Sequence, residues 1–403
     1  MPTPTTGDRR GPVTGLVLTG GGARAAYQVG ALRAVFDILG AGRDEPLPNP
    51  FGVICGSSAG AINAAALACR ANDPRFAAER MRHFWETLHT GAVYRSDAAG
   101  LAGTGAHWLG MLMLGWLVPA LRRNRPRSLL DNRPLEQLLM RALDFDRLQA
   151  NLAEGVLSAL AVTASGYTSG EHLTFYQSRR PIEPWRRSLR HAVAVRIGVD
   201  HLMASSAIPF VFPARALQVD GQVEWCGDGS MRQLAPISPA IHLGADRVLV
   251  IGTGYRDDTH PEKRRRDSDY PSLAQIGGHA LSNIFLDSVA MDIERLERAN
   301  EILALAPRLA QRTGLRHVEV LALSPSRSLD DLALAHIDSL PRAVRTLFRV
   351  LGISADPHGR TGGSLLSYLL FEASYTSALI ELGYADTMRR TEAVHEFFKE
   401  PRA

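Results

Sequence analysis

The strongest chemical signal in the sequence is a Gly-x-Ser-x-Gly run, Gly56-Ser57-Ser58-Ala59-Gly60. A serine hydroxyl becomes a nucleophile when a sharp strand-to-helix turn presents it, and bulky neighbours would collide as the chain reverses. Gly56 and Gly60 sit two residues either side of Ser58, and Ala59 follows it, so the steric requirement is met. A helix beginning at Ala59 also aims its N-terminal dipole and free N–H groups at the Ser58 oxygen. The plainer reading is a tight turn in a Gly/Ser-rich loop.

A second signal is Gly20-Gly21-Gly22-Ala23-Arg24-Ala25. Read as G-x-G-x-x-A, it could cradle a dinucleotide pyrophosphate, which wants an acidic residue at the end of the next strand for the ribose. The next strand ends instead in Cys55-Gly56-Ser57-Ser58. The other functional reading is an oxyanion hole, in which bare glycine N–H groups beside the nucleophile hold the charge that develops on an attacked carbonyl. A turn that needs glycine only for close packing is the third.

A nucleophilic serine needs a base. The α/β-hydrolase order of serine, acid, histidine would offer His242 or His260, but that fold builds several strands before its nucleophile and here only one precedes it. Gly227-Asp228-Gly229-Ser230 is the better candidate, because flanking glycines let an Asp side chain approach another backbone closely. An Asp-Gly pair on its own is most often a turn. No H-E-x-x-H or D-x-D-x-D-G pattern suggests a metal, and Asp257-Asp258 reads as a solvated face, so neither metal nor cofactor is expected.

These residues depend on the elements around them. Val13–Thr19 reads as a strand, 24–39 as a helix stopping at Gly40, Phe51–Cys55 as a buried strand and 59–70 as an Ala-rich helix. Short apolar runs alternating with helices are the pattern of an α/β fold with a parallel sheet. Further strands are expected at 156–164, 172–177 and 247–252, with a hairpin-like region at 217–226 leading into a loop that holds Asp228. An apolar-then-basic insertion occupies 97–133, and 256–270 is a charged linker. Beyond it come helical spacing from Ile276 to Leu296, a strand at 317–323 and two helical stretches, the last ending near Gly383.

Taken together, GGGARA after the first strand, GSSAG after the second and DGS about 170 residues later resemble the patatin-like phospholipase family. Ala204-Ser205-Ser206-Ala207-Ile208-Pro209, Pro236 and Leu243-Gly244-Ala245-Asp246-Arg247-Val248 extend the likeness, which spans Val13 to Gly254. The resemblance implies a three-layer α/β sandwich with a mostly parallel central sheet, here followed by a mainly helical C-terminal extension. It implies Ser58 as nucleophile and Asp228 as base of a dyad that uses no histidine. Backbone groups of Gly20, Gly21 and Gly22, with the Ala59 N–H, would form the oxyanion hole, supported by Arg24, Gly56, Gly60 and Gly229. Ala25 and Ser230 depart from the family's usual residues, though both are small. Arg24 matches the family's basic position in the loop, with a structural role weighed equally against substrate contact. The implied substrates are acyl esters of lipids, phospholipid or lysophospholipid.

On these lines the chain divides into a tail (1–11), an acyl hydrolase domain (12–255), the linker (256–270) and a mainly helical region (271–403). With 45% hydrophobic residues the chain can fill a core, which excludes disorder, collagen and coiled coil. Three scattered Cys fit a reducing compartment rather than a disulfide framework. The formal charge of +4 is nearly all arginine, Lys263 and Lys399 being the lysines, and no RNP, zinc-finger or helix-turn-helix pattern points to nucleic acid. The N-terminus lacks the apolar core of a signal peptide, so a cytoplasmic location is expected. The run from His107 to Leu121, followed by Arg122, Arg123, Arg125 and Arg127, suits a flap dipping into an anionic interface. A core helix or a contact between copies in a homo-oligomer fits it equally, whereas its dense part is too short to span a bilayer. A soluble carboxylesterase or thioesterase on the same dyad, and a non-catalytic interaction protein, are the alternatives to a lipid acyl hydrolase.

Overall fold

The computed structural model describes residues 11–42, 45–95, 128–254, 287–306, 315–350 and 362–399, together with 276, 278–279, 308 and 352–353. The expected tail, the apolar and basic run at 107–127 and the charged linker at 256–270 fall outside the described residues, apart from Gly11.

The chain builds one mixed sheet. Its strands are β1 (Thr14–Leu18), β2 (Val53–Ser57), β3 (Ala159–Gly166), β4 (His172–Ser178), β5 (Arg186–Arg187), β6 (Arg190–Ala194), β7 (Arg215–Val219), β8 (Gln222–Asp228), β9 (Arg247–Ile251) and β10 (Glu319–Leu323). The spatial order is β10-β9-β1-β2-β3-β4-β6-β5, and β10, β9, β1, β2 and β3 all run parallel. β4 turns back antiparallel on β3, and β8 also pairs antiparallel with β3 while β7 closes a hairpin on β8.

The parallel strands are apolar on both faces, as strands covered by helices on each side must be. Side chains alternate between two cores. Leu16, Leu18, Ile54, Leu160, Val162, Leu249 and Ile251 enter one, and Val17, Val53, Cys55, Ala159, Ala161, Val248 and Val250 enter the other. The first core is covered by α1 (Ala26–Gly40), α2 (Ala59–Cys69) and α3 (Pro74–Thr87), joined by α4 (Arg133–Ala142), α5 (Phe145–Glu154) and α6 (Val199–Ser205). The second is covered by α7 (Ser238–His242) and by Val289, Ile293 and Leu296 of α8 (Asp287–Leu305). The result is the expected three-layer sandwich. Local signals set the helix ends: Asp73 caps α3 by accepting from the Phe76 N–H at 3.0 Å, with Pro74 in the first turn, and Gly155 closes α5 in the left-handed region.

The C-terminal region is mainly helical, with α9 (Leu329–Ala335), α10 (Arg342–Val350), α11 (Gly363–Leu369), α12 (Ala373–Met388) and α13 (Thr391–Phe398). Its helices pack into the first core through Leu379, Ile380, Val394 and Phe397, and its one described strand, β10, extends the sheet beside β9. The expected stop near Gly383 is not observed, since α12 runs through it to Met388 and α13 follows. Gly383 serves close approach instead. A Cβ there would overlap the Tyr27 carbonyl of α1, and one at Gly30 of α1 would overlap the Ile380 carbonyl of α12.

Candidate active site

β2 ends at Ser57 and α2 begins at Ala59, leaving Ser58 as the turn between them, at φ 53° and ψ −131°. An L-residue held there stores of order 1–3 kcal/mol, and such strain gathers at functional sites. The flanking glycines permit the geometry: a Cβ at Gly56 would run into the Ala61 backbone and one at Gly60 into the carbonyls of Leu18 and Thr19. The Ser58 N–H donates to Ser205 Oγ at 2.8 Å, and the Ala61 N–H to the Ser58 carbonyl at 2.9 Å.

Sheet register delivers the partner. Ser57, the last residue of β2, sits opposite Thr163 of β3, and the next β3 residue, Ala164, sits opposite Asp228, the last residue of β8. Two strands from distant parts of the chain therefore run toward each other along one edge of β3 and meet at their C-terminal ends. Asp228 was expected in a loop; it ends a strand, and this pairing fixes its backbone. Gly229 then turns the chain where a Cβ would overlap the Thr163 carbonyl.

The Ser58 hydroxyl donates to Asp228 Oδ2 at 2.6 Å. The other carboxylate oxygen accepts the Ser230 N–H at 2.9 Å, the Asp228 N–H donates to the Ala207 carbonyl at 3.0 Å, and Ser57 Oγ and Ser230 Oγ lie 3.1 Å apart. Ser58 is 1% exposed and Asp228 fully buried. Burial pushes the Asp228 carboxyl up to about 6, against the Ser58 and Ser230 hydrogen bonds that hold it down. At neutral pH it is thus a carboxylate more basic than a solvated Asp.

No histidine bonds to Ser58 Oγ among the described residues. His242 stacks on Trp185 at 4.8 Å and bonds to Ser238, and His260 lies outside the described residues. His172, which hydrogen-bonds the Gly229 backbone, is pushed by burial to about 4 and is neutral at neutral pH.

The glycine loop lies against the same turn. Gly22, Ala59 and Ser58 together line an apolar cavity, walled by Phe84, Trp85, Phe212 and Phe371. Gly20 and Gly21 stand behind Gly22 and do not line this cavity: Thr253 Oγ1 donates to the Gly20 carbonyl at 2.6 Å, and a Cβ at Gly21 would meet that same hydroxyl. Gly22 adopts φ +56° directly beneath the Tyr368 backbone. Arg24 points away from the cavity. Its Nε donates to Ser367 Oγ at 2.8 Å, its Nη2 pairs with Asp330, and its guanidinium lies 4.0 Å over the Tyr368 ring, so its contacts are with the C-terminal region.

Sequence reasoning missed several contributors. Phe371 and the Arg24 partners come from the C-terminal region, where nothing marks them apart from other apolar and polar residues. Ser206, noted only as part of a family-like segment, lines the cavity with a buried hydroxyl that finds no partner among the described residues. No group of three or more metal-ligating side chains occurs among the described residues.

A family model described as patatin-like phospholipase matches residues 16–241, more than half of the chain. A search of curated proteins finds no match. Among solved structures, VipD from Legionella pneumophila is similar at 13% identity and a TM-score of 0.36, over 95% of this chain and 67% of that one. A chain of the complex between full-length SpcU and full-length ExoU from the type III secretion system of Pseudomonas aeruginosa is similar at 20% identity and a TM-score of 0.20. That match covers 41% of this chain and 35% of the other.

Proposed function

The chain belongs to the patatin-like phospholipase family, whose members are lipid acyl hydrolases, and we propose that it cleaves lipid esters through a Ser58–Asp228 dyad. The observation that carries this reading is the 2.6 Å hydrogen bond from Ser58 Oγ to a buried carboxylate, at one end of an apolar cavity.

In this mechanism Asp228 Oδ2 takes the Ser58 proton as Oγ bonds to the acyl carbon, and the carbonyl electron pair moves onto oxygen. The backbone N–H groups of Gly22 and Ala59 receive that oxyanion, with Gly20 and Gly21 shaping the loop. One such donor is worth roughly 10²–10³ in rate. Collapse of the intermediate expels the alcohol, which takes the proton from Asp228 and leaves an acyl-Ser58 ester. Water then attacks that ester while Asp228 accepts its proton, and the fatty acid leaves as Ser58 is reprotonated. Phospholipid or lysophospholipid is the substrate in this reading, in keeping with the mostly apolar lining of the cavity. Peripheral contact with a lipid surface through 107–127 belongs to the same reading, resting on the apolar run and the arginines after it.

The test is fluorophosphonate labelling of the wild type, Ser58→Ala and Asp228→Asn proteins, alongside rates on phospholipid vesicles and short soluble esters. Labelling of the wild type alone, with both variants folded and slowed by about 10³-fold or more, is the expected result. A folded wild type that takes no label would overturn the dyad. Faster turnover of soluble esters than of vesicles would move the substrate to a soluble carboxylester.

A further inference from the structure

The cavity at Ser58 has a neighbour. A second apolar cleft lies among α2, α3 and the end of α4, and the two share Ile62, Phe84 and Trp85. The three helices step from one cavity to the other in register. Along α2 the lining passes from Ala59 to Ala66 and Cys69, from Leu88 just past the end of α3 it passes back along that helix to Met81 and Ala77, and along α4 it passes from Leu135 to Leu139 and Ala142. The two spaces are thus successive lengths of one groove, interrupted by a three-residue wall. From Ser58 to Arg70, at the far end, α2 rises roughly 18 Å. Half of a bilayer's hydrocarbon thickness is about 15 Å, the depth that one lipid acyl chain occupies.

We propose that the second cavity takes the distal part of a long acyl chain whose carbonyl lies at Ser58, and that Phe84 sets how readily the chain passes. This rests on Ser58 being the nucleophile. The wall residues differ in how they are held. Trp85 is fixed by its Nε1–H donating to Asn63 Oδ1 at 2.9 Å and by stacking on Phe371. Ile62 is buried on α2. Phe84 is half-buried and meets Trp85 edge-on at 6.1 Å, with no polar group to pin it. It is the member of the wall that can rotate aside. The charged residues of the second cavity, Arg70, Arg80 and Asp144, are half-buried or exposed, and the methyl end of a full-length chain would stop among them, while its buried polar residue, Asn63, is taken up by Trp85, Gln28 and the Ala25 carbonyl.

The readout is the ratio of kcat/KM on p-nitrophenyl palmitate to that on p-nitrophenyl butyrate, with fluorophosphonate labelling run in parallel. Phe84→Ala is expected to raise the ratio several-fold by joining the two spaces. Ala66→Phe, which fills the second cavity, is expected to lower it by about tenfold or more, as loss of apolar contact in a substrate pocket does. Ala142→Trp, at an exposed position on the cavity's outer side, gives the same test where Ala66→Phe fails to fold. An unchanged ratio in folded variants that still label would overturn the acyl-chain assignment and leave Ser58 as nucleophile. Absence of labelling in the wild type would remove both.

Discussion

Asp228 is buried beside Ser58, the serine it would deprotonate in the proposed mechanism, and its elevated carboxyl has two measurable consequences. The first is kinetic. If Asp228 acts as the base, kcat/KM on a soluble ester should fall about tenfold per pH unit below pH 6 and be flat above it, and a limb near the ordinary Asp value of about 4 would exclude this group as base. The second concerns stability. The native carboxyl ionises near 6 and the unfolded one near 3.8, so its protonated form favours the fold. That contribution is fully present below the lower value and is lost as pH rises through the higher one, by roughly 3 kcal/mol. Chemical denaturation from about pH 4 to about pH 8 should therefore show the wild type losing stability relative to Asp228→Asn. At Ser58 the positive φ gives another test. Glycine relieves it and alanine does not, so Ser58→Gly should be more stable than Ser58→Ala by about 1 kcal/mol, measured by the same method.

Among the elements, the glycine loop is latched by parts of the chain far from it. Arg24 ties its first turn to Asp330 of α9 and to Ser367 and Tyr368 of α11, while the Tyr368 backbone lies over Gly22. Asp330→Ala would strand a buried guanidinium, costing roughly 3 kcal/mol, and release the loop that faces Ser58. Asp330 acts as a positioning residue here, so the expected signature is a lower kcat at nearly unchanged KM, with thermal melting checking the loss of stability. This latch also shows where the sequence is and is not legible. Ser58 and Asp228 stood out because a turn and a strand end impose small neighbours on themselves, and those neighbours are adjacent in sequence. The cavity walls did not, because Phe84, Trp85 and Phe371 are ordinary apolar residues whose meeting is decided by the packing of α3 and the C-terminal helices. Gly383 misled for a related reason. A helix-ending glycine and a glycine pressed on a neighbouring helix look alike until the partner, here Tyr27 of α1, is known.

At the scale of the whole molecule, the boundary visible in the sequence near residue 256 does not separate two cores. β10 covers the edge of β9, and α12 packs closely on α1 where Gly30 meets Ile380 and Gly383 meets Tyr27. A chain cut after Gly254 is expected to lose its cooperative thermal transition and to bind ANS, because it exposes the first core and the β9 edge together; a sharp transition in that fragment would show that 271–403 is dispensable to the fold. The strand order has a further consequence, one of timing. β1 is synthesised well before its neighbour β9 and the outer strand β10, which come roughly 230 and 300 residues later, some 10–60 s of translation. Throughout that interval a strand apolar on both faces has one edge open, a template on which another nascent chain can pair. The yield of native protein should therefore depend on how fast ribosomes run and on how crowded they are, even where the finished fold is secure.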